Sequence, residues 1–358
     1  MGELDQCKAM AEIVKGSNQD IFILQSVFSS SVPEKSLYHP SIDVGFYLPP
    51  DFPGEYDAIF QKYSPKVLVI AAWDIWPNLI FSAKKFGCNL FLACGSLHEG
   101  SGRIKNRFLK KLTTEVLQQF DGISPSSLSR ESLFKKYAPG VVIHTCGDSR
   151  FDSVCEKVEK SISGNKSNLK FHENEKIFIF ASTYTICEKM FFPKIGKILD
   201  FGYKIWIFPH KISEDRLTQL ELELDKNSIS HSRYSNSIEK DVLIFDVYGL
   251  LAFAFERARL CYVGGGFTHR IHNVIEPAYF GIPLSSGGKI QHSPEAMDLN
   301  SKGYLTVLNE GVDILKFIER YEDEKVLEDQ RNEIQKFVKV NRGASLRFYE
   351  TFLRKSLE

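Results

Sequence analysis

The stretch Tyr262-Val263-Gly264-Gly265-Gly266-Phe267-Thr268-His269-Arg270-Ile271-His272-Asn273-Val274-Ile275-Glu276-Pro277-Ala278 holds the residue types and spacing best suited to chemistry in this chain. Apolar residues 260–263 read as a buried parallel strand. Three glycines then permit a tight turn and a close approach of backbone to a ligand. A helix is expected to open at His272-Asn273, with unpaired N–H groups and a positive dipole end that suit a phosphate. Glu276, one turn inside, is placed to accept hydrogen bonds from a ribose. These residues point to a nucleotide-sugar site. A bare triple glycine also serves ordinary βα turns, and it is the His-Asn-x-x-Glu-Pro-Ala continuation that favours the anion site.

The elements that must position these groups follow from hydrophobic patterning. Candidate strands lie at 21–28, 44–48, 67–71, 90–94, 141–145, 177–181, 205–208, 242–245, 260–263 and 282–284, and helical patterns fill most gaps, as at 76–86, 107–120, 188–201 and 215–224. Alternating βα units imply parallel sheets covered by helices on both faces. In such sheets ligands bind beyond the carboxyl ends of the strands. Ser182-Thr183, Pro209-His210, Asp246 and Gly264–Gly266 each follow a candidate strand. Asp246 also suits a plain helix cap for a helix from Tyr248 onward.

The polar, lysine-rich residues 151–175 read as a linker between two βα domains at 1–150 and 176–335; a charged helix at 336–358 is expected to pack back on the first. Lys+Arg and Asp+Glu are both 45, so nothing global attracts nucleic acid and any anion site is local. The seven cysteines are scattered with no C-x-x-C, which argues against a disulfide framework or a zinc site. No run reaches the ~20 apolar residues of a membrane span, and no signal peptide is visible. Trp73 and Trp76 suit core positions. The run Arg103-Ile104-Lys105-Asn106-Arg107-Phe108-Leu109-Lys110-Lys111 reads as a solvated helix face or as a surface for lipid phosphates.

In order and spacing, the motifs resemble the 3-deoxy-D-manno-octulosonic acid (Kdo) transferases of lipopolysaccharide synthesis over nearly the whole chain. Met1-Gly2-Glu3-Leu4 is similar to the family's Ser-x-Gly-Glu turn, and Asp74-Ile75-Trp76-Pro77-Asn78 to its Glu-x-Trp-Pro-Asn. Gly147-Asp148-Ser149-Arg150-Phe151-Asp152 resembles the entry to the interdomain linker. Ala181-Ser182-Thr183 with Glu188, Phe208-Pro209-His210, Asp246-Val247-Tyr248-Gly249-Leu250 and Gly264-Gly265-Gly266 through Glu276-Pro277-Ala278 resemble the donor-side motifs.

The resemblance implies an α/β fold of GT-B architecture, two Rossmann-like domains facing each other across a cleft. It implies an inverting glycosyltransferase that moves Kdo from CMP-Kdo to a lipid A precursor (lipid IVA), without a metal or other cofactor, at the cytoplasmic face of the bacterial inner membrane. Peripheral contact with that anionic membrane is expected, and no nucleic-acid partner. Ser182 and Thr183 would hold the phosphate; Gly265, Gly266, His272 and Asn273 would line phosphate and sugar. Glu276 would take the ribose, and His210 and Lys211 would be cations near the donor carboxylate or phosphate. Glu3 would be the catalytic base, with Asp74 orienting the acceptor or a neighbouring residue.

Departures concentrate in the acceptor half. Glu3 lies at the start of the chain, where family members carry a preceding strand and often an anchor, so the first sheet is expected to lack its starting strand, as a start assigned too late would produce. The family's Glu-x-Glu reads Ala72-Trp73-Asp74, and its Asn-Ala-Arg-Leu-Ser reads Cys94-Gly95-Ser96-Leu97-His98. A GT-B transferase or epimerase using another nucleotide sugar, and a degenerate relative that binds nucleotide without turnover, are the alternatives.

Overall fold

In this computed structural model the described residues are 2–30, 32–72, 75–164, 175–236, 240–268 and 270–358; at 2–3 and 163–164 the description covers the backbone. The chain divides into two compact units, Met1–Ser153 with Asn341–Glu358, and Val154–Val340.

The first unit contains a parallel pair, β1 (Leu24–Val27) and β2 (Val44–Tyr47). Beside these in sequence runs a parallel sheet in the order β3 (Val67–Ala71), β4 (Asn89–Gly95), β5 (Gly122–Pro125), β6 (Val142–Ile143). Strand β4 is apolar on both faces, as a strand covered from both sides must be. Leu90 and Leu92 join a core with Ile80, Leu117 and Phe134. Phe91 and Ala93 enter a second core with Met10, Val14, Phe348 and Phe352. The alternation of side chains along one strand thus divides the packing into two layers. The segment Asn341–Glu358 supplies Phe348, Phe352 and Leu353 to the second layer.

The second unit is built on a parallel sheet which, among the described residues, has seven strands. Their order is β13 (Leu305–Val307), β12 (Leu284–Ser286), β11 (Ala258–Val263), β7 (Lys176–Thr183), β8 (Tyr203–Pro209), β10 (Val242–Ile244), β9 (Ser232–Arg233). Without the two-residue edge strand β9, the order is that of a dinucleotide-binding sheet, 3-2-1-4-5-6. The direction of winding reverses between β7 and β11. Ligands of such sheets sit at that reversal, beyond the carboxyl ends of the two strands. Phe178, Phe180, Ile205, Ile207 and Tyr262 fill the core beneath it.

Several expectations are corrected. The stretch read as a linker is, up to Gly164, the helix Arg150–Gly164; residues 165–174 lie outside the described residues. Its lysines and serines mask an apolar stripe, Phe151, Cys155 and Val158, all buried. The boundary between the units falls inside this helix, and the second boundary at Val340/Asn341 rather than 335/336. The helix read at 188–201 is broken into Thr185–Phe191 and Ile195–Asp200, because Pro193 lacks the N–H a continuous helix needs. Strands β5, β9 and β13 escaped the reading; each is short, and β5 contains glycine, serine and proline.

Candidate donor site

Strands β7 and β11 are paired, with Ala181 opposite Val263. At their ends Gly264 N–H donates to the Ala181 carbonyl at 2.8 Å. A Cβ on Gly264 would come within 2.0 Å of the Ser182 carbonyl oxygen. One on Gly265 would meet the Arg270 carbonyl at 2.2 Å, and one on Gly266 the Gly287 carbonyl at 2.4 Å. Gly265 also has φ +93°, a conformation that side chains resist. The glycines therefore let three stretches of the chain's own backbone pack against one another. Ser182, with φ +53°, holds a left-handed conformation that costs a non-glycine residue on the order of 1 kcal/mol.

Thr183 is fully buried, and its hydroxyl donates to Glu188 Oε1 at 2.7 Å. Glu188, itself buried, is ion-paired with Arg216. Thr183 is thus committed to anchoring the turn, contrary to the expectation of a free hydroxyl for phosphate. Ser182 is the half-buried member of the pair.

Three rings meet above the reversal point. Tyr184 follows β7, His210 follows β8, and His272 follows the glycine loop. Tyr184 Oη and His272 Nε2 are 2.9 Å apart. The ring centroids of Tyr184 and His210 lie 4.8 Å apart, those of Tyr184 and His272 5.6 Å, and those of the two histidines 4.5 Å. Burial, and then the nearby His210 and Arg270, push the His272 pKa down to about 4. Partial burial of one ring face, and then Lys211, lower that of His210. The His272 imidazole is therefore neutral at pH 7. The lowered pKa of His210 disfavours the cationic form expected of it, while Lys211 and Arg270 are exposed cations on the same loops.

The helix expected from His272 begins later and is a single short turn, Ile275–Tyr279. Asn273 precedes it in an Asx turn: Oδ1 accepts from Ile275 N–H at 2.9 Å, while Nδ2 donates to Glu276 Oε1 at 3.0 Å. Glu276 is half-buried. Burial raises its pKa, opposed by the Asn273 bond and by Lys157. Such a carboxylate, oriented from one side, has lone pairs left for hydroxyl donors.

Asp246 does not cap a helix at Tyr248; the next helix is Leu251–Phe255. Its carboxylate instead holds Ser235, accepting from the backbone N–H at 3.1 Å and from the hydroxyl. On the acceptor side, Glu3 lies in the first turn of the helix Gly2–Ser17 rather than in an open turn, and its side chain is outside the described residues, as are Trp73 and Asp74. His269 is outside them too.

Sequence reasoning missed Tyr184 and the loop after β12. There Ser286 Oγ donates to the Val263 carbonyl at 2.7 Å and Lys289 N–H to the Gly266 carbonyl at 2.7 Å. An aromatic directly after Ser182-Thr183 was a usable signal for the first. The second had none, since Gly287-Gly288 reads as a generic turn.

The family model for 3-deoxy-D-manno-octulosonic-acid transferase (kdotransferase) matches residues 1–153. A 3-deoxy-D-manno-octulosonic acid transferase of Chlamydia muridarum is 25% identical over 296 residues, 81% of this chain and 68% of that protein. The transferase of the same description from Chlamydophila psittaci is 24% identical over 329 residues, 89% and 74% of the two chains. The crystal structure of UDP-GlcNAc 2-epimerase from Neisseria meningitidis superposes with a TM-score of 0.72 over 98% of this chain and 97% of that one, at 12% identity. At that identity the likeness is one of fold. The family model thus covers the first unit, the transferase relatives run through both units, and the fold is of the GT-B kind.

Proposed function

We propose that the chain transfers Kdo from CMP-Kdo to a lipid A precursor, with inversion at the anomeric carbon, at the cytoplasmic face of the inner membrane. The observation that carries this reading is the Kdo transferase family match over residues 1–153. Support comes from the second unit, whose strand order and loop ends form the kind of corner that takes a nucleotide.

In this reading Ser182, Lys211 and Arg270 meet the phosphate and the sugar carboxylate, His272 and Asn273 line the sugar, and Glu276 accepts from the ribose hydroxyls. An acceptor hydroxyl attacks the anomeric carbon of Kdo. The bond from that carbon to the phosphate oxygen breaks, and CMP departs with the electron pair. Glu3 takes the hydroxyl proton, and Asp74 orients the acceptor side. Cations fixed at the phosphate stabilise the leaving group as its charge develops. No metal enters this scheme. Among the described residues no helix is long and apolar enough to cross a membrane, and peripheral attachment to the anionic leaflet is part of the proposal.

The test is incubation with CMP-Kdo and tetra-acylated glucosamine disaccharide bisphosphate, with UDP-GlcNAc as the rival donor. Release of CMP with a Kdo-sized mass gain on the acceptor supports the reading. Turnover of UDP-GlcNAc with CMP-Kdo untouched would replace it by epimerase or alternative-transferase chemistry.

A further inference from the structure

Strand β7 falls out of step with β8 at one residue. Ala181 lies opposite Phe208 and Thr183 opposite Pro209, so Ser182 is skipped. An extra residue of this kind bends a strand and re-aims its side chain. Ser182 also holds its left-handed φ of +53°, and its carbonyl oxygen lies within 2.0 Å of where a Cβ on Gly264 would stand. A serine keeps that conformation only where its surroundings impose it.

The imposing contacts lie behind it, in a chain of three polar side chains inside the second unit. The Thr183 hydroxyl donates to Glu188 Oε1 at 2.7 Å, and Arg216 Nη2 donates to the same oxygen. Thr183 and Glu188 are each 1% exposed. The Thr183 carbonyl accepts from His210 N–H at 3.0 Å. Arg216 Nη1 is buried with no hydrogen-bond partner among the described residues. A buried ion pair left partly unsatisfied is a poor source of stability, since apolar side chains of similar volume often do as well or better. What this one supplies is geometry. Arg216 stands in the helix Glu214–Lys226, which follows β8 and the loop that carries His210 and Lys211. The network therefore ties the end of β7 to the segment after β8, joining the mounts of Ser182 and Lys211.

We propose that Thr183, Glu188 and Arg216 are positioning residues, a buried network that holds Ser182 and the Lys211 loop in the arrangement that receives the donor's phosphate. The inference rests on the reading that seats the phosphate at this corner. It makes the network a determinant of affinity for the phosphate and not for the nucleoside.

The experiment is ligand-observed NMR titration of the full chain with CMP and cytidine, and with UMP and uridine as a second pair. Thr183→Val removes the hydroxyl donor and keeps the volume, and Thr183→Ser restores the donor. Because a single cut leaves a buried group unpaired, a triple variant (Thr183→Val, Glu188→Met, Arg216→Met) replaces the whole network by apolar side chains. Its thermal midpoint is expected to stay near the parent's. Thr183→Val and the triple variant are expected to bind CMP about tenfold more weakly, the scale of one hydrogen bond to a charged group, with cytidine affinity unchanged. Thr183→Ser is expected to bind CMP as the parent does. Equal loss of CMP and cytidine, parental CMP affinity in the triple variant, or a Thr183→Ser variant as weak as Thr183→Val overturns the proposal. A parent that prefers UMP to CMP overturns the transferase reading instead, and the UMP and uridine pair then decides the positioning role by the same criteria. A parent that binds neither nucleotide overturns both.

Discussion

The contact between Tyr184 and His272 ties the end of β7 to the glycine loop. The 2.9 Å bond and the ring contacts with Tyr184 and His210 fix the imidazole, and burial, then the nearby His210 and Arg270, hold it neutral. Tyr184→Phe keeps the stack and removes the bond. It is expected to weaken CMP binding by roughly 1 kcal/mol, the usual net value of one hydrogen bond, as read by calorimetric titration. Unchanged CMP affinity would remove Tyr184 from the site. Glu276→Ala is expected to weaken CMP by roughly 1–3 kcal/mol if its free lone pairs receive the ribose hydroxyls. Equal affinity in that variant would reject the ribose role.

His272 also predicts a pH dependence. Its pKa is about 4 in the folded chain against an ordinary 6.5. The unfolded chain therefore binds the extra proton first, and folding stability falls as pH drops from about 6.5 towards 4. Above that window the group contributes no pH dependence. Chemical denaturation at pH 7 and pH 5 is expected to show a smaller loss in His272→Gln than in the parent. An identical loss in both would show that the ring is not held neutral by its surroundings.

At the scale of elements, the glycine loop is a packing device. Gly264→Ala would drive a methyl into the Ser182 carbonyl and separate β11 from β7 at the point where the donor corner forms. The expected result is a loss of CMP binding together with a thermal midpoint lowered by several degrees, since overpacking costs about 1–3 kcal/mol. Much of this was legible in the sequence. The strands bordering the loop were readable because short continuous apolar runs flanked by turn residues favour buried strands. The helix at His272 was misplaced by three residues because the Asn273 side chain accepts from Ile275 N–H, so an Asx turn took the place expected of the first helical turn. Thr183 was misjudged for a similar reason. Sequence shows a hydroxyl at a strand end, but not that Glu188, five residues on, folds back to accept from it. The linker was misread because composition outweighed periodicity in Arg150–Gly164.

At the scale of the whole molecule, two α/β units divide the labour in the proposed reaction. Resemblance carried the family and the fold class, and the order 3-2-1-4-5-6 of the main strands gives the donor corner a physical basis. The acceptor half was less legible. Its expected catalytic groups, Glu3 and Asp74, have side chains outside the described residues. Glu3→Gln, which removes the proposed base but keeps the size, is expected to abolish transfer while CMP affinity stays unchanged, because in the proposed reading the second unit holds the nucleotide. Transfer at the parental rate would assign the base elsewhere.

The central claim is tested most directly by supplying the full chain with CMP-Kdo, UDP-GlcNAc and the tetra-acylated disaccharide bisphosphate in one reaction and identifying the products by mass. The account predicts free CMP, an acceptor heavier by Kdo, and unaltered UDP-GlcNAc. Intact CMP-Kdo beside converted UDP-GlcNAc would contradict it.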